Sequence, residues 1–127
     1  MRYDEFLAKV RERGEYADPA EAERVTQLVL GVLAQRLHPD EAEDLAAQLP
    51  GPLAAILISA SQGGPSGFGV REFLDRVATG AGATARTATW DASAVLCTVG
   101  EAISGGELND VLTQLPSGYA TLFGRPA

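Results

Sequence analysis

Cysteine, lysine and histidine each occur once in this 127-residue chain, as Cys97, Lys9 and His38, and aromatic residues make up only 6% of it. A single cysteine excludes an intramolecular disulfide framework. One cysteine and one histidine also fall short of the four ligands a structural zinc site takes, so no metal or other cofactor is expected. No apolar run approaches the roughly 18 residues that a membrane span needs, and no cationic segment followed by an apolar one opens the chain. A cytoplasmic protein without membrane association is therefore expected. Basic charge is scarce as well: 10 Lys and Arg against 17 Asp and Glu leave a net charge of −7. That balance repels phosphate backbones and anionic lipid surfaces, which argues against nucleic-acid binding. Nine of the ten basic residues are arginine and alanine is abundant, as in proteins from GC-rich bacterial genes.

What the chain does have is a long internal echo. Gln48-Leu49-Pro50 returns as Gln114-Leu115-Pro116, and at the same offset Glu41 falls on Glu107, Asp44 on Asp110, Leu45 on Val111 and Leu30 on Leu96. After one slip in a loop, Glu5-Phe6-Leu7 and Val10 fall on Glu72-Phe73-Leu74 and Val77. A period this long exceeds a short solenoid unit and fits a bundle of three or four helices written twice. With 46% apolar residues there is material for one real core. The expected fold is all-α, a single compact domain of seven to eight helices. Its halves would be about residues 3–58 and 70–123, joined by a Gly/Ser-rich linker at about 59–69.

Helix signals support that division. Tyr3, Phe6, Leu7 and Val10 recur at helical spacing, with Gly14 as the expected C-cap. Asp18-Pro19-Ala20-Glu21 is a capping box with proline at the first helical position. It opens a long helix whose stripe runs through Ala22, Val25, Val29, Leu33 and Leu37. His38-Pro39-Asp40-Glu41 and Ser104-Gly105-Gly106-Glu107 start matching helices, and both are expected to end at the Leu-Pro break, because proline disfavours a helical residue before it. Pro50 and Pro116 would then begin short fourth helices. Leu49 and Leu115, closing matching helices, are expected to be buried.

Catalytic patterns fail on context. A His38–Cys97 dyad has no orienting third group or oxyanion site in the sequence. Gly64-Pro65-Ser66-Gly67-Phe68-Gly69 follows no strand and precedes no Gly-Lys-Ser/Thr, so it reads as linker rather than phosphate loop. Glu41, Asp44 and Gln48, with Glu107, Asp110 and Gln114, share helical faces and could hold a cation or a basic side chain. Local geometry explains most of them: the glutamates by capping at the third helical position, the glutamines by satisfying backbone groups freed at the Leu-Pro break. Asp44 and Asp110 are the least accounted for. In the second half Trp90 and Asp91 stand where the first has Arg24 and Val25. The favoured reading puts Asp91 in the exposed first turns of its helix, where an acid suits the macrodipole; the alternative makes the pair one wall of a pocket.

Through the paired Gln-Leu-Pro motifs, the repeated Glu-Phe-Leu-x-x-Val openings and the Gly-Glu-x-x-Asp-Val approach to the second motif, the chain resembles the bacterial family called domain of unknown function 2267. The likeness runs from about Phe6 to Phe123. It implies a small all-helical cytosolic protein and brings no reaction, cofactor or catalytic residues. The functional expectation is a non-catalytic module that binds a protein partner or itself. The alternative is a small-molecule carrier or sensor with a cavity between the halves, lined by Trp90, Tyr119 and Phe123. The candidate surface comprises Asp44, Gln48, Trp90, Asp91, Asp110, Gln114, Tyr119 and Phe123.

Overall fold

The computed structural model describes residues 1–63 and 67–126, apart from the side chain of Ala85. Among them are seven α-helices: α1 (Tyr3–Gly14), α2 (Pro19–Ala34), α3 (Pro39–Gln48), α4 (Gly51–Ala60), α5 (Val70–Ala81), α6 (Ala85–Ala102) and α7 (Gly105–Gln114). A 3-10 turn at Ala120–Phe123 follows.

α2, α3 and α7 start where the sequence signals put them, and α6 is capped in the same way as α2 and α7. Asp18 accepts from the Glu21 amide at 2.8 Å, Thr84 from Thr87 at 3.3 Å and Ser104 from Glu107 at 3.1 Å, each satisfying an orphan N–H of the first turn. α3 and α7 end at Leu49 and Leu115, whose extended backbone (ψ 159° and 145°) is the conformation proline imposes on its predecessor. Both leucines are buried.

Three expectations need correction. α1 ends not with glycine as its cap but with Glu15 in the left-handed region at φ 55°, whose amide bonds back to Arg11 and Glu12. Gly14 serves a different need: the Tyr16 ring folds back where its Cβ would lie. α4 continues to Ala60, since Ile58, Ser59 and Ala60 extend an apolar helix into the presumed linker, of which residues 64–66 lie outside the described residues. Pro116 begins no helix; Tyr119, Leu122 and Phe123 reach the core from the 3-10 turn instead.

The packing interlocks the chain. α2 lies against α1, α4, α5 and α6, while α6 lies against α1, α5 and the 3-10 turn. Thus α1 leans on a helix of the second half, and α5 on one of the first. Phe6, Val10, Leu33, Phe73, Val77, Leu96 and Tyr119 belong to one continuous buried cluster. Phe68 plugs into that cluster, with the Arg76 guanidinium 4.1 Å above its ring and the Arg36 Nε donating to its carbonyl at 2.8 Å. No helix among the described residues is long and apolar enough to cross a membrane.

Candidate functional site

A cleft of about 490 Å³ opens where the end of α1, the start of α2, the end of α5 and the start of α6 meet. Trp90 and Asp91 line it together with Tyr16, Glu21, Arg24 and Thr87. α6 places the two side chains differently. Trp90 is 51% exposed, yet its indole Nε1 donates to the Gly14 carbonyl at 2.9 Å, so the ring is pinned in place. Asp91 is only 6% exposed and accepts from the Tyr16 hydroxyl at 2.6 Å. The expectation that Asp91 sits in exposed first turns is therefore wrong. The Tyr16 ring, folded over Gly14, covers the carboxyl and replaces its lost water.

Burial pushes the Asp91 carboxyl up, the Tyr16 hydroxyl pulls it down, and the charge of Glu21 raises it again. The Tyr16 phenol is itself held well above its ordinary range by burial and then by Asp91. Tyr16→Phe keeps the ring but removes the hydroxyl, leaving a buried carboxylate without this donor. It should cost about 1–3 kcal/mol at neutral pH. The hydroxyl favours the ionised acid, so the loss should shrink as pH falls and Asp91 protonates. Chemical denaturation of both proteins at several pH values checks this.

Trp90 also edges a second hollow, of about 470 Å³, with Arg13, Arg86, Ala94 and Cys97. One indole thus forms the ridge between two adjacent depressions. Arg13 is anchored there, donating to Thr98 at 2.9 Å and to Glu101.

The α3–α7 seam gathers the carboxamide and carboxyl trios from the two halves. Gln48 accepts from the Ser104 amide at 2.7 Å, and Gln114 accepts from the His38 amide at 3.4 Å. Each glutamine caps the other half's helix, rather than the carbonyls at its own Leu-Pro break. With the Ser104 and His38 amides served from across the seam, Glu107 and Glu41 do not close their expected capping boxes. They turn inward, each 8% exposed, and Gln114 donates to Glu41 at 3.3 Å. Asp44 and Asp110 remain exposed on the flanks.

Tyr119 and Phe123 do not join Trp90. Tyr119 is fully buried, meets Phe73 edge-on with ring centres 5.3 Å apart, and aims its hydroxyl at the Phe68 and Gly69 carbonyls, 3.4 and 3.3 Å away. Phe123 is 4% exposed, and neither residue lines either hollow at Trp90. The three aromatics of the alternative reading thus share neither hollow; two of them are core. Among the described residues no three His, Cys, Asp or Glu side chains are grouped so as to hold a metal ion.

The sequence signals do not single out Tyr16, and they give Glu21 only as a cap and Arg24 only as the counterpart of Trp90. A lone aromatic in the short loop after Gly14, two residues from a glycine, was the available signal.

Among the described residues, seven helices around one core, with a tryptophan-ridged face at the starts of α2 and α6 and a reciprocal polar seam between α3 and α7, define a small all-helical protein. The chain belongs to the family described as uncharacterized conserved protein (DUF2267), whose pattern it matches over residues 3–122. A search among curated proteins found no match.

Proposed function

We propose that the protein is a non-catalytic recognition module that binds a segment of a partner protein across the Trp90 ridge. The observation that carries this reading is the half-exposed, hydrogen-bonded indole standing between two adjacent hollows. An exposed tryptophan supplies large contact area at little entropic cost when it is already immobilised, which is why such residues dominate binding energy at interfaces. Two shallow depressions either side of it suit an extended chain. Arg24 and Arg86 on one hand, Glu21 on the other, give a partner both signs of charge to engage. A bacterial cytosol suits the single cysteine, the arginine-rich base composition and the acidic surface.

Small-molecule binding is the second reading. Asp91, Tyr16, Glu21 and Arg24 converge in the larger hollow, as polar groups do in ligand pockets.

Trp90 is the only tryptophan, so its fluorescence reports on this face alone. Peptides selected from a displayed library against the intact protein should shift its emission and lose at least about tenfold in affinity on Trp90→Ala, as expected for a hot-spot residue. Selected peptides that bind Trp90→Ala as tightly as wild type would contradict the proposal. A metabolite that quenches Trp90 and stabilises the fold where no peptide does would favour the second reading.

A further inference from the structure

Glu41 and Glu107 meet across the α3–α7 seam, each 8% exposed and within hydrogen-bonding reach of the other. Glu41 Oε1 and Glu107 Oε2 are buried without a hydrogen-bond partner. An ionised carboxylate can only accept, so two ionised glutamates leave these oxygens facing like charge, whereas one proton between them supplies a donor. Nothing basic among the described residues relieves the pair. The charges that face it are Asp44 from α3 and Asp110 from α7, and α3 further carries Asp40 and Glu43. α4, packed against α3, has no charged residue, and the 3-10 turn has none. His38 stands at the α3 N-cap and offers its backbone amide to Gln114. Arg36, just past the end of α2, donates to the Phe68 carbonyl. No ion pair among the described residues includes Glu41 or Glu107.

We propose that Glu41 and Glu107 form a single proton-binding site that clamps α3 to α7 and loosens this seam when the proton leaves. The clamp is more than two acids in proximity, because the glutamines on either side of it, Gln48 and Gln114, carry the only cross-seam caps of the two helix starts among the described residues. Ionising both glutamates puts two like charges into a closed space flanked by Asp44 and Asp110. Separation of α3 from α7 relieves that repulsion and breaks both caps.

The pH window follows from Glu107, whose carboxyl is pushed up from 4.5 to about 8, first by burial, then by the hydrogen bond and charge of Glu41, and then by Asp44 and Asp110. A raised carboxyl means that the folded chain holds the proton more tightly than the unfolded one. The clamp's contribution is therefore fully present below about 4.5 and is lost as pH rises through about 8. Near-neutral pH lies inside this window, so modest alkalinisation suffices to change the seam.

The test is an NMR titration of the intact, 13C-glutamate-labelled protein, with amide protection factors followed at His38 and Ser104. In the wild type, one glutamate side-chain carbon should titrate near 8, and protection at both amides should fall about tenfold between about pH 6 and about pH 9. Glu107→Gln gives Glu41 a permanent donor of the same shape, so the high titration and the loss of protection should both vanish. Glu41→Gln should do the same from the other side. The proposal is overturned if every glutamate of the wild type titrates in the ordinary range of about 4 to 5. It is equally overturned if a folded Glu107→Gln or Glu41→Gln protein keeps the same alkaline loss of protection. Should both variants fail to fold, the wild-type carboxyl titration decides alone.

Discussion

Residues 1–60 expressed alone should be largely unfolded or oligomeric, although they contain all of α1 to α4. In the intact chain α1 packs on α6 as well as α2, and α2 packs on α5 and α6. The cluster that holds Phe6, Val10, Val29, Leu30 and Leu33, all 0% exposed, also contains Phe73, Val77, Leu96 and Val99 from the second half. A 60-residue piece that must leave part of this set in water cannot offset a backbone entropy cost of roughly 1–2 kcal/mol per residue. The full chain, whose buried side chains form one cluster, should melt in a single transition. Adding a separately made fragment 67–127 should recover helicity, because the contacts lie between the halves and the connection chiefly holds them near. Circular dichroism and sedimentation of the fragments check this. A monomeric 1–60 fragment with a cooperative melt close to that of the intact chain would show that the first half owns its core.

The second large effect is expected at the Leu-Pro breaks. Leu49 and Leu115 are 7% and 8% exposed, and each closes a helix that borders the α3–α7 seam. Both side chains lie in the main cluster, so truncation leaves a void that neighbouring helices cannot fill without moving. Leu49→Ala or Leu115→Ala should cost about 2–5 kcal/mol, a fall in Tm of roughly 10 °C or more for a domain of this size. Proline fixes the leucine backbone in either variant, so the helix ends should stay where they are. A Tm within about 2 °C of wild type for both variants would mean that the breaks are loosely packed after all.

The starts of α2, α3 and α7 were legible because they rest on local chemistry: a side-chain oxygen three residues before the amide it caps, or a proline with no amide to lose. The burial of Leu49 and Leu115 was legible because their place at a chain reversal needed no partner to be named. The reciprocal caps were not, since Gln48 meets Ser104 and Gln114 meets His38 across more than fifty residues of chain. Once those amides are served from elsewhere, a rule of local capping assigns Glu41 and Glu107 to the wrong task. The equal placement of both glutamates on α3 and α7 held the better clue, as two helices packed face to face bring matching positions together. Asp91 was misread for a related reason. Its helix position suited an exposed acid, and only the fold brings in the Tyr16 ring, seventy-five positions away, to cover it. Tyr119 and Phe123 were taken for cavity walls because a short segment after a proline carries no periodicity to tell an inward aromatic from a lining one.

Trp90 gives the functional account its most direct test. A photoreactive phenylalanine analogue placed at Thr87 or at Ser93 stands beside the indole in one hollow or the other, and at Ile58, 40% exposed on α4, it stands outside both. Irradiated in the native host, both ridge positions should yield an adduct with the same protein, absent from Ile58 and abolished by Trp90→Ala. Adducts that form equally from Ile58, or that persist in a folded Trp90→Ala protein, would contradict recognition at this face.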